Sequence, residues 1–132
     1  MSHAAQFSMD PDLSATFEAQ YTTADRIRAL KVTIVDEKFL LSKSVAWLPD
    51  AEAPEAFGAA KNALLAKKEA CYMLFRAQSD GTWLLATFVP EDESVRNKML
   101  YSSGRATLKA ALGGGDRIGA ELHWCARAAA YN

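Results

Sequence analysis

The apolar period changes several times along this chain, and each change marks an element. Asp10-Pro11 pairs an N-cap residue with proline at a first helical position. Leu13, Phe17 and Tyr21 then recur every four residues, which predicts a helix over about 11–20. From Ala29 to Val35 the pattern alternates, with Leu30, Val32 and Ile34 on one face of a strand. Asp36-Glu37-Lys38 can turn the chain, and Phe39 to Val45 alternates again. Leu48-Pro49-Asp50 breaks that run. Pro54 opens a second helix over about 54–67, which gathers Phe57, Ala60, Leu64 and Leu65 and ends in Lys67-Lys68-Glu69.

Cys71-Tyr72-Met73-Leu74-Phe75-Arg76 and Thr82 to Val89 are dense apolar runs joined by Gln78-Ser79-Asp80-Gly81. Continuous apolar runs predict central strands covered on both faces, and the joining segment has turn chemistry. Pro90 closes the second run. A long helix over about 94–112 follows and stops at Gly113-Gly114-Gly115, where glycine suits a left-handed C-cap. A last strand is expected within Ile118–Ala126. The order of helix, hairpin, helix, hairpin, helix, strand predicts an α/β (α+β) fold. It is a single domain over 1–132, with a mixed sheet of about five strands sandwiched between helices.

The long helix carries the most distinctive pattern. Ser94 is its expected N-cap, with Glu91, Asp92 and Glu93 just ahead of it at the positive end of the helix dipole. The charges downstream are all positive: Arg96, Lys98, Arg105 and Lys109. At 100° per residue, Tyr101, Leu108 and Leu112 share the bulky side, flanked by Leu100 and Ala111. The opposite side holds Met99, Ser103, Ala106 and Ala110, with Val95 beside them. Arg96 borders that strip on one edge; Lys98, Arg105 and Lys109 border it on the other. Solvated helix faces usually mix both charge signs. A smooth apolar strip with a basic rim suits a groove in an acidic protein partner, where methionine adapts to the pocket and the rim cations steer encounter. The plainer reading is a surface helix that happens to be rich in lysine and arginine.

Composition narrows the rest. The 132 residues amount to one domain. A net charge of −1 excludes whole-molecule attraction to nucleic acid, so any electrostatic partner must meet a local patch. Cys71 and Cys125 lie in apolar runs and read as buried, reduced thiols of a cytoplasmic protein. His3 and His123 share no ligand-spaced cluster with them, so no metal is expected. No cofactor is expected either. The first six residues lack the features of a signal peptide, and no segment has the ~20 apolar residues needed to span a bilayer. Gly113-Gly114-Gly115 follows a helix and does not open one, so it is no phosphate loop. His123, without a serine or carboxylate at telling spacing, reads as structural, and Trp83 and Trp124 as core or sheet-edge aromatics. No enzyme is indicated.

At the long helix the sequence resembles a known family. The run Arg96-Asn97-Lys98-Met99-Leu100-Tyr101, then Arg105-Ala106-Thr107-Leu108-Lys109 and Gly113-Gly114-Gly115, looks like the actin-binding helix of the cofilin/twinfilin superfamily. It is most like the N-terminal domain of twinfilins. Cys71 to Arg76 and Trp83-Leu84-Leu85 resemble the twinfilin central hairpin. The likeness runs from Cys71 to Gly115; from Asp10 to Lys68 it rests on element order. It implies an actin-depolymerising-factor homology domain with five or six strands. It also implies a monomer that binds and sequesters actin monomers, preferably ADP-bound, and regulates filament turnover. The family's basic pair matches Arg96 and Lys98, its apolar contact matches Met99, and Arg105 and Lys109 match positions farther along. Its N-terminal contact points to Phe7, Ser8 and Met9.

Two departures bear on activity. Phe7-Ser8-Met9 stands where the family commonly has a serine–glycine–aliphatic signature. Cofilins continue past the last strand with a helix that helps grip filaments, whereas this sequence ends at Asn132, which argues against filament side-binding and severing. Twinfilins carry two such domains, and one is present in this sequence. A filament-severing module of cofilin type is one alternative. Phosphoinositide binding through Arg96, Lys98, Arg105, Lys109 and Lys67-Lys68 is another.

Overall fold

In a computed structural model, residues 7–22, 27–47, 52–65, 69–76 and 81–124 are described. The elements run β1 (Ser8–Met9), α1 (Pro11–Thr22), β2 (Ile27–Val35), β3 (Lys38–Ala46), α2 (Ala53–Leu64), β4 (Cys71–Arg76), β5 (Trp83–Phe88), α3 (Val95–Ala111) and β6 (Ile118–Trp124). A single 3-10 turn, Gly114–Asp116, stands between α3 and β6. The six strands form one mixed sheet in the order β1-β3-β2-β4-β5-β6. β1 on β3 and β6 on β5 are parallel, and every other pair is antiparallel. The fold is α+β, and the helices cover both faces of the sheet.

The periods account for most of this. Leu13 and Phe17 of α1, Tyr101 and Leu108 of α3 and Leu112 at its C-cap cover one face, meeting Leu30, Val32, Tyr72, Leu74, Trp83 and Leu85. On the other face, Ala56, Ala60 and Leu64 of α2 pack on Ala29, Met73, Phe75 and Ala86. β4 lies between these layers and is buried at all six positions, as its run of five apolar residues predicts, with Arg76 buried at its end. The β2–β3 connection is a two-residue turn in which Asp36 (φ 51°) and Glu37 (φ 59°) are both left-handed. That twist matches the twist of the flanking strands.

Three features differ from the sequence reading. β1 is only two residues long, too short to show a period, and is made visible by Ser8 N–H donating to the Glu37 carbonyl (3.0 Å) and Asp10 N–H to that of Phe39 (2.9 Å). The second helix ends at Leu64, earlier than expected, and Lys67-Lys68 lie outside the described residues. Lys31, on the alternating strand β2, is 2% exposed; its ammonium is paired with Glu69 at 2.7 Å. The expected break at 48–50, the first three residues of the expected turn at 78–81, and Cys125-Ala126 at the end of the last expected strand also lie outside the described residues.

Cys71 sits fully buried beside that ion pair, and burial pushes its thiol up to about 12. It is therefore a protonated core residue at neutral pH, without thiolate reactivity. No group of acid, cysteine and histidine side chains among the described residues could hold a metal ion. No helix there is long and apolar enough to cross a membrane.

Candidate functional site

α3 begins where its cap chemistry dictates. The Ser94 hydroxyl accepts from the Asn97 N–H at 3.1 Å, and the Asn97 amide donates to the Glu93 carboxylate at 2.6 Å. It ends at Gly113, whose φ of 119° is open to glycine and strained for other residues. Between these stops, two tyrosines bolt the helix to the sheet. The Ile34 N–H donates to the Tyr101 hydroxyl at 2.8 Å, and the Tyr72 hydroxyl donates to the Tyr101 carbonyl. Burial raises both phenols, Tyr101 to about 12, so both remain protonated and able to donate.

The close approach at this bolt depends on Gly104, which is buried on the inward face of α3. A Cβ there would lie 2.9 Å from the Tyr72 hydroxyl oxygen and 3.1 Å from the Phe7 ring. Alanine would gain about 1 kcal/mol of helix propensity. It would also displace a hydroxyl held by its own hydrogen bond and a ring stacked on Phe39 at 4.9 Å. Gly104→Ala is expected to lower stability by about 1–2 kcal/mol net, read as a fall in the urea midpoint.

With the inner face locked, the outer face of α3 is set. Val95 is 72% and Met99 67% exposed, among the largest exposures of any apolar side chain described. Ser103, Ala106 and Ala110 continue the strip and are exposed too. Arg96 is exposed and makes no ion pair or hydrogen bond among the described residues. Lys98 donates to the Glu91 carbonyl at 2.8 Å, a neutral acceptor, so its charge is not cancelled there.

The C-terminal half differs. Arg105 and Lys109, one turn apart, both bind the Glu121 carboxylate on β6: Arg105 on one oxygen, Lys109 on the other at 3.0 Å. Hydrogen bonding from Lys109 first, and from Arg105, holds the Glu121 carboxyl below its ordinary value of 4.5 against a smaller effect of burial. A lowered folded-state value stabilises above the unfolded one. The contribution is therefore full above about pH 5 and is lost as pH falls through the lowered value. Wild type should exceed Glu121→Gln in stability by at most about 1 kcal/mol at pH 7. The gap should close as the pH is taken down through the lowered value, which denaturant titrations at pH 7 and in acid would read.

The N-terminal candidates divide in a similar way. Phe7 is half-buried, stacked on Phe39 with its ring edge against Gly104. Met9 packs against the main core, and Ser8 is exposed. The segment thus abuts the middle of α3, and two of its three side chains point into the domain. Sequence periodicity had no means of finding Glu121 or the role of Gly104, because each depends on a partner at least 12 residues away in the chain. His123, read from the sequence as structural, is exposed on β6, beside Glu121 and Leu122 in a shallow cleft with Ser102 and Arg105.

The described residues of α3 form a locked helix that offers an apolar strip. Residues 6–123 match the family model described as cofilin/tropomyosin-type actin-binding protein. The chain belongs to this family. It is 37% identical over 92 residues to twinfilin of Aedes aegypti, an alignment covering 67% of this chain and 26% of that protein. It is 35% identical over 94 residues to twinfilin of Anopheles gambiae, covering 68% and 27%. The aligned part is thus about a quarter of the length of these curated relatives. Among solved structures, Eh twinfilin superposes with a TM-score of 0.74 at 28% identity, covering 92% of this chain and 88% of that one. Plasmodium berghei actin depolymerization factor 2 superposes at 0.73 with 15% identity, over 92% and 87%, a likeness of fold alone.

Proposed function

We propose that this domain binds actin monomers, with ADP-actin preferred, and by holding them away from filament ends regulates filament turnover in the cytoplasm. The contact surface is the N-terminal half of α3: Val95 and Met99 as the apolar centre, with Arg96 and Lys98 as cationic flanks. One observation carries the reading. The most exposed apolar side chains described stand on the helix whose Arg96 has no partner within the described domain. Water-exposed methionine beside unpaired cations is costly to no other part of the fold, and it suits an acidic partner with an apolar groove. Arg105 and Lys109 lie farther along the same helix and are already engaged by Glu121, while Phe7 and Met9 pack into the domain and Ser8 is exposed beside them.

The test is a titration of fluorescently labelled ADP- and ATP-actin monomers with the domain, alongside co-sedimentation with filaments. The reading expects saturable monomer binding, tighter for ADP-actin, and little domain in the filament pellet. A domain that pellets with filaments and shows no affinity for monomers would replace sequestration with filament binding.

A further inference from the structure

The four cations of α3 are not equivalent. Arg96 is unpaired among the described residues, Lys98 rests on a neutral carbonyl, and Arg105 and Lys109 share one carboxylate. Positive charge along the helix is therefore graded: two uncancelled charges in the first half, two cations and one anion in the second. We propose that Glu121 is a specificity-determining residue that damps electrostatic attraction between α3 and an acidic partner surface, by cancelling one charge of the Arg105–Lys109 pair and fixing both side chains against β6. The proposal rests on the reading of α3 as the helix that faces actin.

Its position supports this role over a structural one. Glu121 pairs in register with Leu85 across the β5–β6 ladder, and Leu85 faces α3; its carboxylate therefore reaches the flank of the helix and not its buried side. The buried side is already held by Tyr101, Gly104, Leu108 and Leu112. Glu121 is exposed on edge strand β6, so it fills no core space. A surface carboxylate bridging two half-buried cations at the surface adds little to stability, but it changes the field a partner meets. Rim charges act mainly on association rate and salt dependence. An acid placed among attractive cations is one way a binding surface limits unwanted or excessive attraction.

The experiment is stopped-flow association of the domain with fluorescently labelled ADP-actin, comparing wild type, Glu121→Gln and Glu121→Thr. The threonine variant makes the same charge change with a residue suited to a strand. Both variants should associate about threefold faster than wild type at ~50 mM salt, and the advantage should fade by ~0.5 M. Adding Arg105→Ala and Lys109→Ala should slow association in every background and shrink the gain, because the share that comes from freeing those two side chains is lost, and the four-way comparison reads that coupling. A strap that merely steadied the helix would give the opposite sign, since loosening α3 slows productive docking. Unchanged or slower association in both folded variants overturns the proposal, as does a gain that persists at high salt. Wild type binding ADP-actin without a gain in the variants would remove the role of Glu121 alone. Absence of wild-type binding would remove the actin reading and this proposal together.

Discussion

Arg96→Ala combined with Lys98→Ala is expected to weaken binding to ADP-actin by about 30- to 1,000-fold while leaving the domain folded. The size follows from the state of the two cations before binding. Arg96 has no internal pair to lose, and Lys98 gives up only a hydrogen bond to the Glu91 carbonyl. Neither therefore pays an internal competitor when it meets an acidic partner. A charged pair desolvated at an interface costs about 2–4 kcal/mol when one side is truncated, which is the range quoted. Both side chains lie on the surface, so stability should move by no more than about 0.5 kcal/mol. Fluorescence titration of labelled monomers, with urea melts of the same samples, reads the two quantities separately. A large fall in stability would show that the cations serve the fold instead.

Leu108→Ala should do the reverse and act first on stability. Leu108 is fully buried on the inward side of α3, in the core shared with Phe17, Trp83 and Ile118. Removing a leucine side chain at such a site costs about 2–5 kcal/mol, the transfer of the lost atoms plus the cavity they leave. A domain of this size has about 5–15 kcal/mol in all, so the loss is a large fraction. The melting temperature should fall by roughly 10 °C or more. Actin affinity measured well below that temperature should fall far less than in the Arg96/Lys98 variant, because Leu108 touches no partner. The surface residue Met99 gives the matching contrast: Met99→Ala should leave the melt unchanged and weaken actin binding.

The contrast shows which parts of the molecule were legible in the sequence. Elements that form by local rules were. Ser94, preceded by three acids, capped the long helix, Gly113 ended it with a left-handed φ, and Cys71 to Arg76 formed a strand buried throughout. The inward side of α3 was legible because Tyr101, Leu108 and Leu112 share one side at 100° per residue, and so was the exposure of Met99 opposite them. Pairings between distant segments were not. Lys31 reads as a polar alternation on a strand, yet it is buried because Glu69, 38 residues on, supplies its counter-charge. Arg105 and Lys109 read as an open basic rim, yet an acid on β6 engages both. Gly104 interrupts the helix pattern without a local reason; the reason is the Tyr72 hydroxyl that approaches it. Ser8–Met9 joins the sheet by backbone bonds that no side-chain pattern encodes.

Methionine oxidation footprinting reads the central surface most directly, because thioether reactivity with peroxide follows exposure. Of the four methionines in the chain, Met99 stands in water and Met73 is fully buried. With ADP-actin bound, sulfoxide formation at Met99, followed by peptide mass, should slow about tenfold or more. In the Arg96/Lys98 double variant at the same actin concentration it should return to the free rate. A saturated complex in which Met99 is oxidised as fast as in the free domain would place the contact elsewhere.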